Sequence, residues 1–329
     1  MASPYAFFSY LIVVLFSWTS LLAQPREIWA SYRIAIIAAD GEAASTKAVE
    51  AGARQVADKL EKANNLAITL DNLSTLESSA EAQRRALHRA FLEGYDGVLL
   101  NVADAATIVE EIELLSRQGI PVVTFERDVP GSARLATIVN DEIQAGKLAA
   151  EAYLAQLKFV RGEVGILAGQ EDNPIMQQRL DGIRQKLEPV PSVTLHEPLA
   201  YSGETVTNAL GVLNEAIRKD HAEDIRGWIF LGNWPVQSGQ PLPWVSEDNA
   251  VCIVIDADPH VIPYMLSGQV QAAVATDYFG MGEAAMSRLI KTIHHQAHFL
   301  ADTVIIEPKV ITQEKLGQFQ RDWTDWLQR

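Results

Sequence analysis

From Tyr32 onward the chain alternates short β-branched apolar runs with longer stretches of helical period, and that alternation restricts the fold more than any other feature. Residues 32–38 read as a strand. Val49, Val56 and Leu60 then recur at helical spacing within residues 44–62. Further strands fall at 66–70, 97–100 and 120–125, separated by helices over 80–92 and up to Gln118, the latter capped by Asp104 or Thr107. Repeated βα units of this length predict a parallel sheet covered by helices on both faces. A turn at Pro130-Gly131 and a crossing segment from Ala136 lead to Asn140-Asp141, which caps a new helix over 142–157. The pattern then restarts, with strands at 164–167, 193–195, 227–231, 251–255 and 270–275 and helices at 175–187, 206–217, 260–266 and 281–295. Short strands at 304–306 and 310–311 precede a closing helix over 313–327. The two halves share one architecture. The expected fold is α/β, with two doubly wound, Rossmann-like parallel-sheet lobes.

The strand at 120–125 ends in a charged pair, Glu126-Arg127. Charges directly after an apolar strand belong at the carboxyl edge of an α/β sheet, where such sheets bind ligands. A chain of 329 residues is long enough for two cores. Its net charge of −15 argues against nucleic acid, which is bound through clustered Lys and Arg.

The first 23 residues carry no charged side chain, residues 6–22 are almost wholly apolar, and Leu21-Leu22-Ala23 offers a small residue for cleavage. Residues 1–23 therefore have the shape of a signal peptide, with the α-amino group as its sole positive charge. An uncleaved anchor is the alternative, since the stretch lies near the lower limit of roughly 17 residues for a span. Either reading puts the globular part outside the cytoplasm. The single cysteine, Cys252, sits within the apolar run 251–255 and reads as a core residue. It is remote from the signal-like segment, so a free exported protein is expected rather than a lipoprotein.

Several segments carry a family likeness. The run Ile120-Pro-Val-Val-Thr-Phe-Glu-Arg127, then Asn140-Asp141 with Gly146-Lys147-Leu148-Ala149, resembles the sugar-binding type I periplasmic binding proteins, the ribose-binding members especially. So do Arg179-Leu-Asp-Gly182, Phe230-Leu-Gly-Asn233, Ile255-Asp256 and Gly268-Gln-Val-Gln-Ala-Ala273, in register from about Tyr32 to Ile306. The resemblance implies two lobes joined by a three-segment hinge near Asn140-Asp141, Thr276-Asp277 and Glu307 to Lys309. Residues 31–140 with 277–307 would form the first lobe, and 141–276 with 308–329 the second. A sugar-like ligand would close the cleft between them by hinge rotation. The partner implied is the membrane permease of an ABC importer. The alternative is a periplasmic sensor that presents its closed form to a histidine kinase or chemoreceptor. The same fold forms the effector domain of LacI-type repressors, but here a signal-like N-terminus replaces a DNA-binding headpiece.

Neighbouring sugar hydroxyls both donate and accept, so planar bidentate groups and an aromatic face recognise them best. By resemblance, Glu126 and Arg127 are the acid–arginine pair of the first lobe, and Asn233 and Asp256 grip hydroxyls from the second. Asn140 and Asp141 join them at the first hinge segment. Each has a plainer reading: Asp256 as a helix cap near His260, Asn233 as a chain turn, Arg127 in a hinge ion pair with Glu126. The sequence also departs from the ribose pattern. Ser45-Thr46 stands where the family carries an aromatic pair, Gln177 where ribose-type members carry a ligand arginine, and Thr276 where many have Gln. Trp234 is the leading replacement for the stacking platform and Tyr278 the second, unless they pack against the loop from Pro235 to Pro243.

Other chemistry is thinly represented. His294-His295-x-x-His298 has the spacing of a metal pair, but no carboxylate or Cys nearby completes it, and an exposed helix end is expected. Asp40 and Asp256 are the one pair of carboxylates that a cleft hydrolase would draw on, and no nucleophile or phosphate loop accompanies them. No cofactor and no catalytic residue is expected. Asn72-Leu-Ser is a glycosylation sequon, meaningful only in a eukaryotic secretory pathway.

Overall fold

The computed structural model describes residues 29–75, 79–157, 161–219, 224–243, 251–297 and 302–328. The signal-like stretch and His298 lie outside the described residues. The first half runs β1 (Ala30–Ile37), α1 (Ala44–Asn64), β2 (Leu66–Asn72), α2 (Ala80–Leu92), β3 (Gly97–Asn101), α3 (Val109–Arg117), β4 (Val122–Phe125) and β5 (Ala136–Asn140). It continues as α4 (Glu142–Gln156), β6 (Gly162–Ala168), α5 (Pro174–Leu187), β7 (Val193–Leu195), β8 (Ala200–Tyr201), α6 (Val206–Lys219) and β9 (Ile225–Phe230). The last part comprises β10 (Val251–Ile255), α7 (Val261–Leu266), β11 (Ala272–Ala275), α8 (Tyr278–His295), β12 (Thr303–Ile306), β13 (Lys309–Thr312) and α9 (Leu316–Gln328).

Among the described residues these strands form two sheets. The first has six strands in the order β12-β5-β4-β3-β1-β2, every neighbouring pair parallel. The second has the order β13-β11-β10-β9-β6-β7, with β8 also on β6, and is parallel except where β13 runs against β11. The central strands β3, β4, β10 and β11 are buried along their whole length, which is why they read as unbroken apolar runs rather than alternating ones. Cys252 is inside β10, and burial pushes its thiol well up.

The chain passes between the sheets three times among the described residues: from β5 to α4, from β11 to α8, and from β12 to β13. Lys309 in the third passage reaches Asp277 in the second, tying two crossings together. Each lobe also has one tight helix pair. A Cβ on Gly52 of α1 would lie 2.0 Å from the Phe279 carbonyl oxygen of α8, and one on Gly282 would lie 1.9 Å from that of Val49. In the second lobe, Gly146 of α4 and Gly182 of α5 meet Arg179 and Ile143 in the same reciprocal way, at 1.9 and 2.0 Å. Only glycine permits backbones this close.

Some expectations need correction. The crossing segment from Ala136 is a strand, β5, held between β4 and β12. Its partner β12 comes from far along the chain, so local sequence does not reveal the pairing. Neither Asp104 nor Thr107 caps α3; Asp104 instead accepts from the Ala106 amide at 3.0 Å in a turn before the helix. Helix α8 begins at Tyr278 rather than Met281, because Asp277 accepts from the Gly280 amide at 2.9 Å. Helix α9 packs on α1 as well as on α7 and β13, so the C-terminal segment touches both lobes. At the end of α8, Tyr32 Oη and His294 Nδ1 lie 2.9 Å apart. Among the described residues no helix is long and apolar enough to cross a membrane, and no group of three His, Cys, Asp or Glu could hold a metal.

Candidate functional site

Two carboxylates occupy matching places in the two lobes. Glu126 follows β4 and Asp256 follows β10, strands that hold the same position in the two sheet orders. Both residues take left-handed backbone angles, φ 63° and φ 67°. That conformation is uncommon for a side-chain-bearing residue and turns the chain sharply off the strand end. The Glu126 amide still donates to the Ile138 carbonyl at 2.9 Å, so the turn is braced by the neighbouring strand β5.

Between these strand ends lies a cavity of about 280 Å³. This is just below the usual range for ligand pockets, roughly 300–1,000 Å³. Of the residues expected to bind ligand, Glu126, Arg127, Asn140, Asn233, Trp234, Asp256, Thr276 and Tyr278 line it. Asp141 does not: its carboxylate caps α4 by accepting from the Gln144 amide at 2.8 Å. Gln177 does not either, and its exposed amide donates to the Glu171 carbonyl at 3.1 Å. Asp141 is taken up by the helix cap, and Gln177 falls outside the lining although its neighbour Met176 on α5 belongs to it. Asp40 is remote as well, accepting from the Glu42 and Ala43 amides in a local turn, so it makes no pair with Asp256. Thr46 is buried and donates to the Asp40 carbonyl at 2.7 Å, and Ser45-Thr46 contributes nothing to the lining.

Arg179 organises the second-lobe wall. It is buried on α5, donates from Nε to Glu142 Oε2 at 2.6 Å and from Nη1 to the Leu231 carbonyl at 2.6 Å, and stands 3.8 Å from Asp256 Oδ2. Burial alone would lower its pKa, but the charges of Glu142 and Asp256 outweigh that and hold it above the ordinary arginine range. Asp256 also accepts from Thr276 Oγ1 at 3.2 Å and from the Tyr278 hydroxyl. Burial, then the Asp256 and Glu126 charges, push the Tyr278 phenol well up, so it stays a donor. Asp256 is thus held by three side chains and caps no helix; Asp258 takes the His260 amide instead, at 2.9 Å.

Trp234 is buried against Gly232, where a Cβ would fall 1.9 Å from its ring, and its Nε1 donates to Ser202 Oγ at 2.8 Å. That bond and the close packing hold the ring in place. Asn233 turns the chain through its carbonyl, which accepts from the Val236 amide at 3.0 Å, and still lines the cavity. Arg127 makes no ion pair with Glu126; it is exposed and donates to the Ala103 carbonyl at 3.3 Å.

Of the first-lobe residues that line the cavity, two have buried polar atoms without a partner among the described residues. Asn140 is 8% exposed, and both its Oδ1 and Nδ2 are buried without a hydrogen bond. Glu126 Oε1 is in the same position. An unpaired buried polar group costs about 1–3 kcal/mol, so two at one cavity mark a place built for something polar. Burial and the Asp256 charge push the Glu126 carboxyl up to about 7, against the Asn101 hydrogen bond and the Arg127 charge.

Sequence reasoning passed over Glu142, Asn173, Ile175, Met176, Arg179, Glu204, Gln237 and Met281, which complete the lining. Arg179 was visible within its Arg-x-x-Gly motif, and Asn173-Pro174 has the form of a helix start, Asn173 Oδ1 accepting from the Ile175 amide at 3.0 Å. Nothing local marked Glu204, which reaches Asn173 Nδ2 at 2.7 Å from a separate loop.

Two parallel-sheet lobes joined by three crossings, with a polar cavity between their strand ends, are the type I periplasmic binding protein fold. The chain belongs to the periplasmic binding protein family, whose domain model matches residues 34–296. It is similar to the structure of GanP, a glucose-galactose binding protein from Geobacillus stearothermophilus, with 22% identity, TM-score 0.69, and 87% of this chain and 99% of that one covered. A sugar ABC transporter sugar-binding protein from Bacillus halodurans superposes with TM-score 0.73 at 16% identity, covering 88% and 99%. The XylFII-LytSN complex gives TM-score 0.67 at 17% identity, covering 87% and 99%. At these identities the likeness is one of fold. No curated protein matches the chain.

Replacing Arg179 by Leu should destabilise the unliganded protein by about 3–5 kcal/mol in denaturant unfolding, because it strands Glu142 and the Leu231 carbonyl in a buried site. Glu126 carries a pH signature of its own. A carboxyl raised from 4.5 to about 7 in the native state keeps its proton while the unfolded chain loses it. Stability should therefore fall as pH rises through that window, by up to about 3 kcal/mol. In Glu126→Gln the fall should be absent, so its melting temperature should gain on the parent's from pH 4.5 to about pH 7 and level off above that.

Proposed function

We propose that this chain captures a sugar or sugar-like small molecule in the cleft between its lobes, closes over it by hinge rotation, and delivers it to an ABC importer. The observation that carries this reading is the pair of unpartnered buried groups, Asn140 and Glu126 Oε1, at one wall of the cavity. Facing them, Asn233 and Asp256 stand at strand ends of the other lobe, so a molecule bridging both walls holds the lobes together. A hydroxyl suits the Asn140 amide, since it donates and accepts at once. Trp234 supplies an anchored aromatic surface for the apolar side of a ring. Glu126, Arg127, Asn140, Asn233, Trp234, Asp256, Thr276 and Tyr278 are the residues we assign to the ligand. Export by way of residues 1–23 belongs to the same reading, as does a lobe division at the three crossings.

The second reading, a periplasmic sensor that presents its closed form to a histidine kinase or chemoreceptor, draws support from the XylFII-LytSN complex, in which a protein of this fold is held by another protein. Both readings share one cleft and differ in the docking partner.

A thermal-shift screen of the chain from Gln24 onward against sugars, polyols, nucleosides and organic acids tests the proposal. A ligand at about a hundred times its Kd adds roughly 2.7 kcal/mol to native stability. One sugar class should raise the melting temperature and be recovered unchanged. Arg127→Ala should melt with the unliganded parent yet lose that shift, because its side chain is exposed at the cleft. A ligand consumed during incubation would mark an enzyme, and silence across the panel would leave the sugar reading without a substrate.

A further inference from the structure

Resting on that receptor reading, we propose that the ligand is a polyhydroxylated molecule bearing a protonated amine, an amino sugar or amino polyol, with its ammonium at Glu126 and an adjacent hydroxyl at Asn140. The argument is one of charge and unmet bonding. Among the described residues the cavity presents four carboxylates, Glu126, Glu142, Glu204 and Asp256, against two guanidiniums, Arg127 and Arg179. Arg179 is already spent: its donors serve Glu142 and the Leu231 carbonyl, and its remaining charge faces Asp256. Arg127 is exposed and bonded to the Ala103 carbonyl. Glu204 has a neutral partner in Asn173. Glu126 and Glu204 thus have no ion-pair partner among the described residues, and of the two only Glu126 has an oxygen, Oε1, shut off from solvent with nothing to accept from.

A neutral hydroxyl could donate to Oε1, but burial and the repulsion from Asp256 would keep Glu126 protonated, whereas a cation beside it lets the carboxyl ionise. That repulsion is visible in the carboxyl itself, which burial and the Asp256 charge raise while Asn101 and Arg127 oppose them. Closing the cleft removes more water and makes an unpaired charge costlier. An ammonium supplies both what is missing, a donor for Oε1 and a positive charge between two acids. Asn140, with donor and acceptor both free and 8% exposed, requires a group that does both, which a hydroxyl does and an ammonium does not. The two unpaired groups together call for an amine and a hydroxyl on one scaffold.

Calorimetric titration with matched pairs tests this: D-glucosamine against D-glucose, D-galactosamine against D-galactose, D-mannosamine against D-mannose, all at pH 6.5. The expected result is that one amine binds at least about tenfold tighter than its neutral parent and releases a proton, read from the dependence of the heat on buffer ionisation. The proton comes from Glu126, which Asp256, Tyr278, Glu142, Arg127 and the Asn101 amide surround. Glu126→Gln should erase the preference for the amine. The pairs measured on the parent protein decide the matter even if that variant does not fold. A neutral sugar that binds as well as or better than its amine overturns this inference and leaves the receptor reading standing. Failure of every sugar, amine or neutral, overturns both.

Discussion

The buried guanidinium of Arg179 is the interaction on which the second lobe's half of the cleft depends. It joins α5 to α4 through Glu142, to the end of β9 through the Leu231 carbonyl, and to the end of β10 through Asp256. A charge this deeply buried is tolerated only where several partners meet it with good geometry. The helices that bring those partners together are locked by Gly146 and Gly182, whose backbones approach too closely for any side chain. Packing between α4 and α5 and the electrostatics of the site are thus one constraint seen from two sides.

The first lobe repeats the device without the arginine. Gly52 and Gly282 bring α1 and α8 equally close, and Glu126 leaves β4 with the same left-handed turn by which Asp256 leaves β10. Asp256 is met by Arg179, Thr276 and Tyr278; Glu126 has only the Asn101 hydrogen bond and the partial influence of Arg127. One lobe therefore presents a finished electrostatic surface and the other an unfinished one. That asymmetry leaves polar groups on the first lobe's wall of the cavity without partners while the facing wall is fully bonded.

The hinge is better braced than three bare crossings would be. Lys309 spans to Asp277, and Tyr278 at the start of α8 makes an edge contact with Trp323 of α9, ring centroids 6.4 Å apart, while Trp326 stacks on Phe279 at 5.2 Å. Because Tyr278 also donates to Asp256, the cavity wall and the C-terminal helix share a side chain.

By itself the sequence determined the layered α/β class, the order of nearly all strands and helices, and the strand-end positions of Glu126, Asn233 and Asp256. Periodicity and burial are local properties, and a strand end is marked where an apolar run stops. The segment at β5 was not read that way, and one of its two partners, β12, lies far along the chain. Nor was the fate of Asp141, taken up by the helix cap, or of Gln177, outside the lining, or the arrival of Glu204 from a distant loop. Above all, the difference between Asp256, fully partnered, and Glu126 with Asn140, left wanting, exists only once the lobes are folded. Which polar groups find partners depends on which side chains the fold brings within reach: Arg179, Thr276 and Tyr278 converge on Asp256, and no such set converges on Glu126 and Asn140 among the described residues.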